Sequence, residues 1–256
     1  MNYQLILTIV SGIFISGIAA YLGTLMLSKK MSVVAGPLAH LALPGVALAL
    51  LCGFEISIGV FPFVILGAIL IWFLERKTNL PTENLAAIVF AFGVGSALLI
   101  LPIGKAEEAL VGSIDTINLA ETITIVLLSI AVFFLVNFVY RKIMLVNIHA
   151  EIAKVEGFNV DSLNFLYLLS IAMVVGLGVY LVGGLITAAL IAIPSATAKN
   201  VSNDLSSYKQ RAVIFGVVAT IGGIFIAPIC HFPIGPAIII LGALFFLVTV
   251  FLNKKL

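Results

Sequence analysis

Polar residues divide the chain into nine apolar stretches, near residues 3–27, 34–53, 56–74, 85–102, 120–140, 163–182, 184–198, 212–230 and 235–252. Most hold close to 20 residues, enough for a helix rising about 1.5 Å per residue to cross the ~30 Å hydrocarbon layer. The expected fold class is all-α: a polytopic transmembrane helical bundle of about nine spans, eight to ten if a re-entrant segment changes the count. The first stretch is too long for a signal peptide and has neither the basic start nor the small-residue cleavage site of one, so it reads as a retained helix. Residues 1–256 form one transmembrane domain, with a longer polar segment at 141–162 inside it.

Composition agrees: 62% of residues are hydrophobic and 9% charged, against roughly a quarter charged in soluble domains. The placement of charge matters more than its +2 sum. Lys29, Lys30, Arg76, Lys77, Arg141, Lys142, Lys154, Lys199, Lys209, Arg211, Lys254 and Lys255 fall on one face of a nine-span topology, leaving only Lys105 on the other. By the positive-inside rule that face is cytoplasmic, which puts the N-terminus outside and the C-terminus inside. The outer loop from Gly104 to Glu121 is acidic, with Glu107, Glu108, Asp115 and Glu121 against Lys105, and would attract a cation or a basic partner surface.

Several function classes lack their residues. No G-x-x-x-x-G-K-[ST] phosphate loop is present, so any ATP-driven role needs a separate subunit. There is no basic run with interleaved aromatics for nucleic acid, and no G-x-S-x-G or H-E-x-x-H hydrolytic motif. The chain reads as a transport component without enzymatic chemistry or a permanently bound cofactor. Its spans hold almost no Asp, Glu, Lys or Arg, which disfavours a stand-alone ion-coupled carrier. Cys52 and Cys230 fit neither a zinc-knuckle spacing nor a CxxC pair and read as small apolar residues near span ends.

The segment "RKIMLVNIHAEIAKVEGFNVDS" predicts a short amphipathic helix outside the bilayer. Ile148, Ile152 and Val155 lie at helical spacing on one side, and Gly157 ends it. Within it "EIAKVEG" resembles the E-A-A-x-x-x-G loop of ATP-binding-cassette importers, in which a cytoplasmic helix seats in a groove of the ATPase. Other segments match in the same order. "KKMSVVAGPLAHLALPGVALAL" resembles the second span of the metal-ion permease subunits of those importers. "LPTENLAAIVFAFGVGSALLIL", "LVGSIDTINLAE", "GGLITAALIAIPSATAKN" and "HFPIGPAIIILGALFFL" are similar to later motifs of that family. The resemblance runs from about Leu27 to Phe251. It implies a channel subunit moving zinc, manganese or ferrous iron as cargo across the cytoplasmic membrane. It further implies a second permease copy, a cytoplasmic ATPase docked through Glu151, Ala153 and Gly157, and an external metal-binding protein.

The same resemblance points to candidate site residues. His40 is similar in position to the histidine of the family's D-x-x-x-H motif, where two ligands four residues apart share a helical face. Here the aspartate position is Gly36, so a lone imidazole must find partners in water, another span or the second copy. His231 stands where the family has the aspartate of D-L-P-x-G-P. Together with Glu55 it is expected nearer the outer mouth, and a histidine-richer site favours zinc over manganese. Pro44, Gly45 and Pro194 are expected to interrupt their helices as hinges or pore-lining bends. Close helix packing is expected at Gly12, Ser16 and Ala20 and at Gly176, Gly183 and Gly184. Loss of the aspartate leaves open a non-metal cargo or an inactive relative.

Overall fold

The structure is a computed structural model that describes residues 3–78, 80–100, 117–148 and 156–252. In chain order the helices are α1 (Tyr3–Ser28), a 3-10 turn (Ser32–Val34), α2 (Ala35–His40), α3 (Leu43–Cys52), α4 (Ile56–Thr78), α5 (Thr82–Ile100), α6 (Leu119–Ile148), α7 (Val160–Val182), α8 (Gly184–Val201), α9 (Leu205–Cys230) and α10 (Ile234–Leu252). No strand occurs among the described residues. Among the described residues eight segments are long and apolar enough to cross a bilayer, α2 and α3 together counting as one; α8 contributes a shorter apolar stretch, Ile186–Val201. The chain is a multi-pass helical membrane bundle.

Several helices outrun their apolar stretches. The fifth, expected to end near 140, continues to Ile148, so Arg141–Ile148 prolongs α6 and is not part of a separate surface helix. The eighth begins at Leu205 and not near 212, because Asp204 caps it by accepting from the Ser207 amide at 3.1 Å. Hydropathy reports where lipid ends, whereas a helix propagates into water until a cap stops it. The rest of the expected docking helix, residues 149–155, lies outside the described residues. Gly157 sits beyond it in a turn at φ +81°, and Asn159 then caps α7 by accepting from the Ser162 amide at 3.1 Å.

The second span is interrupted, but not at Pro44-Gly45 as expected. The break falls at Leu41-Ala42, between α2 and α3. There the Ala42 amide turns back to the Ala39 carbonyl at 3.3 Å. Pro44 occupies the first turn of α3, where an N–H has no helical acceptor to lose. Its effect is felt one turn earlier, because it has no N–H to offer the His40 carbonyl. Pro194 is likewise no interruption: α8 runs through it. The Ser195 hydroxyl donates toward the Ile191 and Ala192 carbonyls at 2.9 Å each, and the Thr197 hydroxyl to Ile193 at 2.8 Å, so acceptors near the proline are covered by side chains. Pro62 and Pro228 also lie inside continuous helices.

α1 is the central post of the bundle, packed on α6, α8 and α9. Small residues let it be approached. A Cβ on Gly12 would stand 2.9 Å from Thr220 Cγ2, and one on Gly216 would stand 3.0 Å from Ala20 Cβ and 3.1 Å from the Ser16 carbonyl oxygen. Gly176 likewise leaves room for the Phe61 ring. Gly183, at φ +85°, joins α7 to α8 in a single residue, a conformation that side chains resist.

Just past α1, Lys29 donates to Asn164 Oδ1 at 2.8 Å and lies 4.8 Å over the Tyr167 ring. Burial pushes its ammonium below the ordinary lysine value of 10.5, partly offset by attraction to Glu75. A base whose folded pKa is depressed is penalised while charged, so the unfolded chain binds more protons between the two values. Stability should therefore rise as pH climbs toward 10.5, and Lys29→Met should flatten that rise; thermal unfolding from pH 7 upward measures it.

Candidate functional site: the broken second span

His40 ends α2 and is half buried. Its ring stands 5.5 Å from that of Phe90 on α5, tilted by 59°. The chain around it is held from three sides. Leu41, at the break, drives its side chain into the space left by two glycines, Gly67 on α4 and Gly93 on α5, where any Cβ would overlap it. Gly184, opening α8, brings its backbone against Ala39, with a Cβ there only 3.3 Å from the Ala39 carbonyl oxygen. The break is thus a fixed bend rather than a loose joint. On the same helical face, four residues before His40, Gly36 has nothing within 4 Å of where its Cβ would be. The His40 imidazole thus stands one helical turn from open space, and the His40 carbonyl lacks the N–H that Pro44 cannot offer.

The other candidates lie elsewhere. Gly45 is buried inside α3, facing Gly59 of α4. Glu55 is exposed in the α3–α4 connection, where the Ser57 hydroxyl donates to Glu55 Oε2 at 3.4 Å. With Ser57, Asn118, Glu121 and Thr124 it lines a cavity of about 170 Å³. Glu121 is held by a reciprocal cap: the Asn118 amide donates to Glu121 Oε2 at 2.8 Å, and the Glu121 amide to Asn118 Oδ1 at 2.9 Å. Pairing of Glu55 with Glu121 across 66 positions was not foreseeable from either local sequence. His231 is exposed and caps α9 in the left-handed conformation, φ +57°. Its Nδ1 lies 3.1 Å from the Pro228 carbonyl oxygen, which can only accept, so Nδ1 is the donor in that contact and Nε2 is the ring nitrogen outside it.

Among the described residues no three His, Cys, Asp or Glu side chains come together in a metal-holding group. His40, His231 and Glu55 are therefore not gathered into one site within a single chain. Cys52 and Cys230 are both free and exposed. Of the docking residues, Glu151 and Ala153 lie outside the described residues.

Comparison with known proteins widens this picture. The chain is 27% identical over 253 residues to the "High-affinity zinc uptake system membrane protein ZnuB" of Haemophilus influenzae, covering 97% of each chain. It is 25% identical over 251 residues to the "Manganese transport system membrane protein MntC" of Listeria innocua, covering 96% of this chain and 90% of that one. The fold matches that in the structure of "PsaBC from Streptococcus pneumoniae in complex with Fab" with a TM-score of 0.85 at 22% identity, over 100% of this chain and 94% of the other. The order of motifs from the second span to the last is thus part of a pattern that takes in nearly every residue. Since the sequence profile of the ABC 3 transport family matches residues 1–253, the chain belongs to that family.

Proposed function

We propose that this chain is the channel-forming permease subunit of an ATP-driven importer that carries divalent transition-metal ions, zinc first, across the cytoplasmic membrane. Family membership over residues 1–253 is the observation that carries the reading. Relatives named for zinc and manganese transport support the cargo class. Without a phosphate loop of its own, the chain draws on a separate ATPase subunit, takes its ion from an external binding protein, and works as a pair of permease copies. With α8 taken as the ninth crossing, the positive-inside rule puts the N-terminus outside and the C-terminus inside.

In this reading His40 meets the ion at the bend of the second span. Neutral imidazole suits zinc, manganese and iron(II), and the remaining ligands come from water, freed carbonyls and the second copy. His231, with Nε2 outside its contact to Pro228, receives the ion nearer the mouth, and the Glu55 cavity adds negative charge there. The clasped α2–α3 break, with Pro44 and Gly45 following it, is assigned to pore lining as a fixed bend, and so is the stretch of α8 around Pro194.

The reading is tested by uptake of labelled zinc, manganese and iron(II) into vesicles holding this subunit with its ATPase and binding protein. ATP-dependent uptake of one metal supports it. No uptake of any metal by an assembled, ATP-hydrolysing complex overturns the cargo and assigns Gly36 to a change of ligand.

Docking of the ATPase is assigned to Glu151, Ala153 and Gly157. Leucine at Gly157 would have to adopt φ +81°, a left-handed conformation costing roughly 1–2 kcal/mol for an L side chain. Glu151→Arg with Gly157→Leu is expected to abolish co-purification of the ATPase while membrane insertion is unchanged. Undiminished co-purification would remove the docking assignment.

A further inference from the structure

Between α1, α6 and α9 lies a groove of about 290 Å³ with almost purely apolar walls, among them Phe14, Gly17, Tyr21, Phe133 and Val217. Gly17 keeps it open: the nearest atoms to its missing Cβ are the methyls of Val213 and Val217, both at 3.9 Å. Ser129 also lines it, 2% exposed, and its hydroxyl has no hydrogen-bond partner among the described residues. Other hydroxyls on α6 behave differently. Thr122 and Thr124 return theirs to the Asn118 and Ala120 carbonyls at 3.1 and 2.9 Å. A buried hydroxyl left without an acceptor marks this wall as one that packing within the chain has not completed.

Beyond Tyr21, at one end of the groove, the neighbouring side chains become polar and basic. The Tyr21 hydroxyl donates to Asn137 Oδ1 at 3.1 Å, and its ring lies 5.4 Å from that of Tyr140. Lys209 Nζ stands 4.8 Å over the Tyr140 ring. Arg141, exposed, follows Tyr140 and is one helical turn beyond Asn137. Among the described residues no carboxylate forms an ion pair with Lys209 or Arg141. Along α1 the groove reaches from Ile13 to Tyr21, about 12 Å of helix, most of the ~15 Å depth of one leaflet.

We propose that this groove binds one anionic phospholipid, an acyl chain lying between α1, α6 and α9 and its phosphate held by Lys209 and Arg141. Charge complementarity selects the headgroup, since basic pockets between helices attract anionic lipids. Shape selects the chain. That volume spread along about 12 Å suits an extended hydrocarbon tail and is too slender for a helix of a second copy, roughly 10–12 Å across. Only the identity of the leaflet, the cytoplasmic one, rests on the orientation proposed above. A lipid so placed would brace α6, which leads into the docking segment, against the first turns of α9.

The test is native mass spectrometry of the full-length protein released from bilayer discs of phosphatidylcholine mixed with phosphatidylglycerol. Wild type should retain one phosphatidylglycerol per chain in preference to phosphatidylcholine. Lys209→Gln and Arg141→Gln should each weaken retention about fivefold. Gly17→Leu, or Ser129→Phe should the first fail to fold, should abolish it by filling the groove. Soluble glycerol phosphate should not displace the lipid, because it lacks the chain. Equal retention of both lipids, displacement by glycerol phosphate, undiminished retention in the groove-filling variants, or disulfide trapping of two copies through Gly17→Cys would each overturn the proposal. None of these readouts uses metal or ATP, so they stand apart from the transport assay.

Discussion

His40→Ala is expected to reduce ATP-driven uptake of the cognate metal by about a hundredfold, with assembly, membrane insertion and ATPase docking unchanged. Loss of even a supporting residue of a metal site typically costs 10–100-fold, and His40 is proposed as a ligand, so the upper end applies. The partner experiment restores what this chain lacks. Gly36→Asp puts a carboxylate four residues before the imidazole on the same face, into space where no atom lies within 4 Å. It should tighten divalent binding and shift preference toward manganese, because carboxylate oxygen suits harder ions than imidazole does. Measurement is metal uptake by the reconstituted complex across zinc, manganese and iron(II). Wild-type rates in His40→Ala would remove His40 from the passage. A Gly36→Asp variant with unaltered metal preference would show that this face does not meet the ion.

How the fold can be read from sequence follows from which physics each feature obeys. Spans were legible because the bilayer imposes one requirement, apolar length, that composition reports directly. Their ends were not, since Asp204 and Asn159 set helix starts through capping bonds that hydropathy ignores. Proline marked one break a turn too late and another that does not occur. Pro194 lies inside an unbroken α8, with the Ser195 and Thr197 hydroxyls on the Ile191 and Ile193 carbonyls beside it, whereas the break at Leu41-Ala42 falls one turn before Pro44. At the site, His40 was legible as an imidazole inside an apolar span, and Gly36 only through the resemblance to the family's D-x-x-x-H motif. The clasp that holds them was not: Leu41 enters gaps at Gly67 and Gly93, each distant in sequence and each an unremarkable glycine when read alone.

The close crossing of α3 and α4 carries the second large effect. A Cβ on Gly45 would overlap the Gly59 carbonyl oxygen and come within 2.6 Å of its carbon, and a Cβ on Gly59 would meet the Gly45 carbonyl in the same way, 2.8 Å from its carbon. Both clashes are with backbone, which no rotamer change relieves. Small residues at such crossings allow the approach that packing in lipid depends on. Gly45→Val or Gly59→Val is therefore expected to cost about 3 kcal/mol, at the upper end for overpacking, and to lower the yield and melting temperature of detergent-purified protein. Because the two residues fill one gap, the double variant should cost less than the sum of the singles: once the helices have parted for one valine, the second enters space already made. Substitution at Gly36, in the same span but facing open space, should leave stability nearly unchanged. If Gly45→Val folds as wild type yet blocks uptake, Gly45 acts as a hinge rather than as packing. If it neither destabilises nor blocks, α3 and α4 do not cross as closely as described, and the bend that positions His40 loses its support.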